Sequence, residues 1–163
     1  EAKNKFIQTW GALGSQWGIN KTMAQIHALL MVSPEPLSME DVMEELLISR
    51  GNASMNLRAL MDWGIVYKEY KSGERKEFFT AEKDLDELAV KIAKERSKRE
   101  IKPALKVLKD VSSIDASQSS ETKHFVEKTK ELYDFVLKAD NMIDKVTEFK
   151  DNWIGRLVMK IMK

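Results

Sequence analysis

Residues 49–64 decide the fold of this chain, and their sequence is SRGNASMNLRALMDWG. Ala53, Leu57 and Leu60 recur at helical spacing, so one face of the segment is apolar. Ser49 is a residue type that caps helix N-termini, and Gly64 is one that ends helices. The stretch therefore predicts a single amphipathic helix with a buried apolar face.

A β-hairpin is predicted directly after this helix. Residues 65–70 and 77–80 are rich in β-branched and aromatic side chains, which favours two strands. The Ser72-Gly73 pair between them is typical of a tight turn. A helix followed by a hairpin is the second half of a winged helix-turn-helix.

Three further helices are predicted upstream, at about residues 6–17, 20–33 and 38–47. The last of these opens with Ser38 and Asp41, the spacing of a capping box. Apolar spacing in the first helix predicts a packing face made of Phe6, Trp10, Leu13 and Trp17.

The outward face of the helix at residues 49–64 carries small and amide side chains, where a merely solvated helix would carry Glu and Lys. Gly, Asn and Ser lower helix stability, but they allow close approach to a phosphate backbone. Asn and Arg can also read adenine and guanine through paired hydrogen bonds. We therefore predict a DNA recognition helix, with an ordinary solvated helix as the alternative. Its candidate DNA-binding residues are Ser49, Arg50, Gly51, Asn52, Ser54, Met55, Asn56 and Arg58.

The hairpin tip is predicted to be a DNA-binding wing because positive charge is concentrated there. Residues 49–76 hold six basic and three acidic residues, a local net charge of +3, whereas the whole chain has a net charge of +1. A local basic surface of this kind is what phosphate binding requires. The candidate wing residues are Lys71, Ser72, Arg75 and Lys76.

Residues 84–163 are predicted to form long helices, kinked at Pro103 and interrupted by a serine-rich loop at residues 112–120. A heptad-like apolar pattern in the last part favours packing in a bundle with a second copy of the chain. The sequence thus divides into a DNA-binding domain, 1–83, and a helical dimerisation region, 84–163. The predicted dimerisation residues are Phe125, Leu132, Val136, Ile143, Val146, Trp153, Leu157 and Ile161.

Residues 49–58, followed by Leu60, Trp63 and Gly64, are similar to the recognition-helix signature of the GbsR-like branch of the MarR superfamily. The resemblance covers about residues 18–80. It implies a mainly α fold with a small β-hairpin wing, in which a winged helix-turn-helix is joined to long C-terminal dimerisation helices. It also implies a homodimer on a palindromic operator in double-stranded DNA, usually acting as a transcriptional repressor. Members of the branch include sensors of choline and glycine betaine, so a small-molecule effector is implied as well.

Enzymatic and metal-dependent classes have little support. The chain has no Cys, which removes thiol chemistry and Cys-ligated zinc. Its two histidines, His27 and His124, do not form a metal-spaced pair. We therefore predict a non-enzyme with no cofactor and no metal. The sequence has no apolar run of membrane-spanning length, so we expect a cytoplasmic protein.

Other interpretations stay open. A winged helix can bind a protein instead of DNA. The basic amphipathic segment 152–163 has the composition of a membrane-surface helix, although the heptad pattern before it favours dimerisation. An aromatic cage for a quaternary ammonium ligand is less favoured, because aromatic side chains at helical spacing are more often core. Lysines recur on one face of the long helix that follows the wing. We interpret this stripe as a solvated face, and a contact with DNA is the less favoured alternative. The stripe comprises Lys94, Lys98, Lys102, Lys106 and Lys109.

Overall fold

Helices and one small sheet make up residues 1–115 and 119–151, the part of the chain that the computed structural model describes, with side chains through residue 148. The first elements are α1 (Ala2–Gln16), α2 (Lys21–Val32), β1 (Leu37–Ser38), α3 (Met39–Leu46), α4 (Arg50–Asp62), β2 (Val66–Tyr70) and β3 (Glu77–Ala81). They are followed by α5 (Leu85–Arg96), a π-helical turn (Ser97–Ile101), α6 (Lys102–Ser112) and α7 (Ser120–Asp151). The predicted fold class, a mainly α winged helix-turn-helix followed by long helices, is confirmed. The chain divides into two units, Glu1–Lys91 and Ile92–Lys163.

The sheet has the strand order β1-β3-β2, and both strand pairs are antiparallel. The predicted hairpin is present as β2 and β3, and Gly73 in its turn has a φ of +82°, which a glycine adopts without strain. Phe79 of the central strand pairs with Leu37 on one side and Lys68 on the other. The sequence did not predict β1, because two residues are too few to show an alternating pattern.

Local capping interactions fix α3 and the turn that follows it. The Ser38 side chain accepts a hydrogen bond from the Asp41 backbone N–H at 3.2 Å, and Asp41 Oδ2 accepts one from the Ser38 N–H at 2.8 Å. This capping box was predicted. Leu47 then adopts a left-handed conformation with a φ of +52°, and its side chain is 91% exposed. The turn through Leu47 leads directly to Ser49, which caps α4.

The end of α4 is set by Gly64, which has a φ of +69°. Its N–H donates to the Met61 carbonyl at 2.9 Å, and the N–H of Ile65 donates to the Leu60 carbonyl at 3.2 Å. These two bonds form a Schellman motif, which requires a left-handed residue at the glycine position. The predicted stop at Gly64 therefore terminates α4 immediately before the wing.

The core of the first unit contains side chains from α2, α3, α4, β2 and β3. Each fully buried side chain of this size stabilises the fold by about 1.5–3 kcal/mol relative to exposure. Because α4 contributes two of them, its inward face is strongly specified. The largest fully buried side chains are Phe79, Ile26, Leu29, Leu30, Leu57, Leu60, Val42 and Val66.

The predicted packing face of α1 is wrong. The buried residues of α1 are Ile7, Gly11 and Gly14, whereas Leu13 and Trp17 are exposed. The reason is steric, because a Cβ on Gly14 would lie 2.6 Å from the Ala24 Cβ of α2. The two helices approach so closely that only glycine fits there. The glycine face of α1, and not its aromatic face, is therefore turned toward α2. On the aromatic face of α1, the centroids of the Phe6 and Trp10 rings lie 5.6 Å apart.

In the second unit, a π-helical turn separates α5 from α6, and Pro103 lies at the start of α6. A proline removes a backbone donor, and a widened turn accommodates this without ending the helical path. The helical path therefore continues through Pro103, as predicted, with the π-helical turn directly before α6. The Ser97 hydroxyl of the π turn donates a hydrogen bond to the buried Asp140 carboxylate of α7, which fixes α7 against this turn.

The predicted heptad pattern of α7 lies beside the face that α7 buries within the chain. Asp140 and Thr147 are buried, whereas Leu132 is 49% exposed and Phe135 is 71% exposed. Phe125 and Val146 are exposed as well, and Val136 and Ile143 are half-buried. An exposed apolar stripe thus remains on α7. The other predicted dimerisation residues, Trp153, Leu157 and Ile161, lie outside the described residues.

His27 is a buried histidine in α2, and its Nε2 has no hydrogen-bond partner among the described residues. Burial, together with the nearby positive charge of Lys83, lowers the His27 pKa to about 4. The Lys83 ammonium donates to the carbonyls of Leu30, Met31 and Ser33 at 2.7–2.9 Å, which satisfies the C-terminal end of α2. His27 is therefore a neutral core residue, consistent with a structural role.

We predict that His27 makes the fold less stable as the pH falls below 6.5. The unfolded chain binds a proton on this imidazole below about pH 6.5, whereas the folded chain does so only near pH 4. Between pH 7 and pH 5 this difference should lower the free energy of unfolding by about 2 kcal/mol. Urea denaturation at both pH values should show that His27→Phe loses this part of the pH dependence. An unchanged pH dependence in the variant would contradict the assignment.

Candidate nucleic-acid interface

The exposed face of α4 holds most of the predicted recognition residues. Gly51, Met55 and Arg58 are exposed, and the Met55 side chain retains 62% of its accessible surface. Asn52 and Ser54 are half-buried at the borders of this face. Ala53, Leu57 and Leu60 point the other way, into the core. The helix thus presents small, amide, thioether and guanidinium groups to solvent.

Asn56 does not belong to this face, so the expectation that its side chain is exposed for DNA binding is wrong. Its side chain is only 3% exposed. The Asn56 Nδ2 donates to the Asn52 carbonyl at 2.9 Å and to the Asn52 Oδ1 at 2.6 Å. Asn56 lies three residues after Ala53 and four before Leu60, which places it on the same buried side of the helix. Its amide therefore stabilises α4 internally.

The N-terminal end of α4 combines a cap with an ion pair. The Ser49 Oγ accepts a hydrogen bond from the Asn52 N–H at 3.3 Å. Arg50 Nη2 lies 2.7 Å from Glu40 Oε1 of α3, and both side chains are largely solvent-accessible, at 64% and 46%. The hydrogen bond from Arg50 holds the pKa of Glu40 below its ordinary value, and the positive charge of Lys76 adds to this effect. The first basic residue of the helix is thus paired inside the chain.

The wing carries cations in different settings. Ser72, Arg75 and Lys76 are exposed at the hairpin tip. Lys71 is half-buried, with its Nζ 4.4 Å from the centre of the Phe78 ring, a cation–π contact. Lys68 forms an ion pair with Glu77 across the hairpin at 2.7 Å. Arg75 and Lys76 are therefore the more accessible cations of the predicted wing.

A small cavity of about 90 Å³ lies between α4 and the hairpin. It separates the outward part of α4 from β2 and β3, and Arg58 and Lys68 lie on its two sides. Its remaining lining residues are Met39, Ser54, Leu57, Met61, Glu77 and Phe79. The cavity shows that Arg58 and the wing border a common groove in the first unit.

A second set of polar contacts links β2 of the wing to Lys91 in the middle of α5. The Tyr67 hydroxyl of β2 donates to Glu82 Oε2 at 2.7 Å, and the Lys91 ammonium lies 2.6 Å from the same oxygen. Lys91 also lies 5.2 Å from the centre of the Tyr67 ring. These contacts hold the beginning of β2 in a defined position beside the chain segment that follows β3.

Known proteins resemble this chain in sequence over the winged helix and in fold over most of its length. Residues 17–76 match the MarR family. The matched range runs from the end of α1 to the tip of the wing, so the similarity to this family covers the helices and the hairpin of the winged helix-turn-helix. A solved structure described as a transcriptional regulator superposes on the chain with a TM-score of 0.60 at 16% sequence identity, covering 89% of this chain and 99% of that one. This likeness supports the fold over most of the chain. No curated protein matches the sequence.

The winged helix contains a charged residue that the sequence analysis does not single out. The sequence pattern does not predict Glu40, because its contact partner Arg50 lies ten positions further along the chain, in the next helix. A single signal was present, an acidic residue in the first turn of α3, which the helix dipole favours on its own. Within the described residues, no cluster of His, Asp and Glu is arranged to hold a metal ion. The helices of that part of the chain are also too short or too polar to cross a membrane.

We predict that Asn56→Ala destabilises the fold clearly more than Arg58→Ala does. Asn56→Ala removes two hydrogen bonds inside α4 and should lower the free energy of unfolding by about 1–2 kcal/mol. Arg58→Ala removes an exposed side chain and should change it by less than about 0.5 kcal/mol. Urea denaturation of both variants tests the division between the buried and exposed faces. Equal losses in the two variants would contradict it.

Proposed function

We propose that this chain is a cytoplasmic, sequence-specific, DNA-binding transcriptional regulator that acts as a homodimer. The observation that carries the proposal is the exposed face of α4, which presents Gly51, Met55 and Arg58 beside a wing with exposed Arg75 and Lys76. The MarR family match over the same residues supports it. Together they suit a helix in the major groove and a wing near the phosphates or the minor groove.

In this proposal the residues of the interface have different tasks. Arg58 and Asn52 read base edges, because they lie on or beside the exposed face of α4. Ser49 has its oxygen engaged as a helix cap, so its contribution is to place the first turn of α4. Arg50 and the wing residues contact phosphates, which position the protein without specifying sequence.

The finer parts of the proposal rest on the resemblance of residues 49–58 to the GbsR-like branch of the MarR superfamily. These parts are that the chain represses transcription, and that it responds to a small-molecule effector such as choline or glycine betaine. Selection of bound duplexes from random sequence, with and without these two compounds, tests both the site and the response. A two-fold symmetric dimer should select an inverted repeat with half-site centres about 34 Å, or a multiple of it, apart.

The selected duplex also separates base recognition from phosphate contact. Arg58→Ala should reduce discrimination at one base pair per half-site by about 1–3 kcal/mol, since a bidentate base contact is lost. Arg75→Ala should instead weaken binding to all sequences and reduce the salt slope by about 0.9, since a phosphate contact is lost. Binding titrations at several salt concentrations, on the selected and a scrambled duplex, measure both effects.

Lys5→Ala is a matched control for that experiment, because it removes one exposed positive charge from α1 without touching α4 or the wing. Its affinity and salt slope should stay close to those of the unmodified chain. If Arg58→Ala and Arg75→Ala behave like this control in folded protein, the assignment of α4 and the wing to DNA is wrong. Salt-independent binding to duplex, or none, would favour a protein-binding role for the winged helix.

The homodimer is proposed to form through the exposed apolar stripe of α7, for which Phe125, Leu132, Phe135, Met142 and Val146 supply large exposed side chains. Apolar area of this kind is stabilised when a second copy covers it. The predicted residues Trp153, Leu157 and Ile161 would extend the same interface.

We predict that Leu132→Glu dissociates this dimer. A carboxylate at the centre of an apolar interface is left without a partner, whereas in the monomer the side chain remains hydrated because Leu132 is half exposed. Sedimentation at micromolar concentration should change from a dimeric to a monomeric species. Asn141→Glu is the control, since it adds the same charge at an exposed position nine residues along α7, on the opposite side. A monomeric unmodified chain, or equal behaviour of both variants, would refute the proposed interface.

A further inference from the structure

The guanidinium group of Arg50 already has an anionic partner inside the chain. Its Nη2 lies 2.7 Å from the Glu40 carboxylate, and its Nη1 lies 3.8 Å from the Met39 sulfur. Both contacts come from the first turn of α3. One hydrogen-bonding edge of the Arg50 guanidinium is therefore engaged in the protein on its own.

A carboxylate and a phosphate make the same kind of contact with arginine. Both accept parallel N–H bonds from the planar guanidinium, so one anion excludes the other from a given edge. The Glu40–Arg50 pair is exposed to solvent on both sides, and exposed pairs are weak enough to be broken. A DNA phosphate that binds this edge of Arg50 would therefore have to displace Glu40, and the released carboxylate would lie close to that phosphate.

Positive charges of the wing lie near the same acidic turn of α3. The positive charge of Lys76 helps to hold the pKa of Glu40 below its ordinary value. Asp41 has a lowered pKa first because of its bonds to Ser38, with further contributions from Lys76 and Lys71. Cations from α4 and from the wing thus converge on the first turn of α3. Glu40 has its carboxylate on Arg50, whereas Asp41 is engaged in the capping box.

We propose that Glu40 competes with DNA phosphate for Arg50 and so weakens the binding of duplex irrespective of its sequence. The inference rests on the proposed DNA-binding function of α4. Because phosphates are the same at every site, the competition lowers affinity for all duplexes and leaves base recognition by Arg58 unchanged. Glu40 is then a positioning residue of the interface that limits non-specific binding.

Glu40→Gln tests the proposal, with Glu44→Gln as a matched control. Both variants remove one exposed negative charge from α3, but Glu44 lies one helical turn after the residue that contacts Arg50. The capping box uses Asp41, so neither variant alters it. Equal thermal melting of the two variants and the unmodified chain checks that the fold is preserved.

The probe is a mixed-sequence duplex of about two helical turns, titrated at several salt concentrations. Glu40→Gln should bind about three- to tenfold more tightly than the unmodified chain near 50 mM salt. Its salt slope should be steeper by up to about 0.9 per copy, because Arg50 then displaces counterions without freeing a carboxylate that attracts new ones. The difference should vanish at high salt. Glu44→Gln should leave the slope unchanged.

Arg50→Ala is introduced into the unmodified chain and into the Glu40→Gln variant. Comparing the two shows whether Glu40 changes DNA affinity through Arg50. If Glu40 acts through Arg50, the gain from Glu40→Gln should fall at least severalfold when Arg50 is absent. The proposal is overturned if Glu40→Gln matches Glu44→Gln, or if the full gain persists in the Arg50→Ala background. An unmodified chain that shows no salt-dependent duplex binding would overturn the proposed function itself, which is a different result.

Discussion

The rotation of α4 about its own axis is fixed by the burial of Ala53, Leu57 and Leu60, and the arrangement of the winged helix depends on it. These side chains are at most 1% exposed and pack in a core that includes α2 and β3. Because each residue of a helix is turned by 100° from the one before, fixing one face determines every other direction. Turning α4 by a single position would bring Arg58 to the core and leave an apolar side chain on the surface.

Elements with strong local signals were predictable from the sequence. The caps at Ser38 and Ser49, the stop at Gly64 and the hairpin around Gly73 each depend on a few neighbouring residues, so the sequence pattern is sufficient. Features that depend on distant partners were not predictable in the same way. The buried face of α1 is chosen by the close approach of Gly14 to Ala24, and β1 exists only through its pairing with β3.

The candidate site shows the same division within a single helix. The outward positions of Met55 and Arg58 follow from the apolar period. Asn56 lies at the edge of the apolar face that is centred on Leu57, so the sequence does not decide whether its side chain is buried. In the structure its amide bonds to Asn52 and is buried on the same side of the helix as Ala53 and Leu60. The ion pair of Arg50 with Glu40 depends on the orientation of α3 relative to α4. The sequence pattern does not predict this orientation, because the turn that joins the two helices has a left-handed residue at Leu47.

That turn has a consequence for the evolution of the chain. Leu47 holds a backbone conformation that costs an L-amino acid about 1–2 kcal/mol, and its side chain, almost fully in solvent, recovers none of this by burial. A residue without a β-carbon would relieve the strain at the same place. The junction of the helix-turn-helix thus lies away from its stability optimum, in the way expected of natural proteins that are selected only to remain above a threshold. Sequence drift at position 47 is therefore free to proceed in the stabilising direction without altering the core on either side.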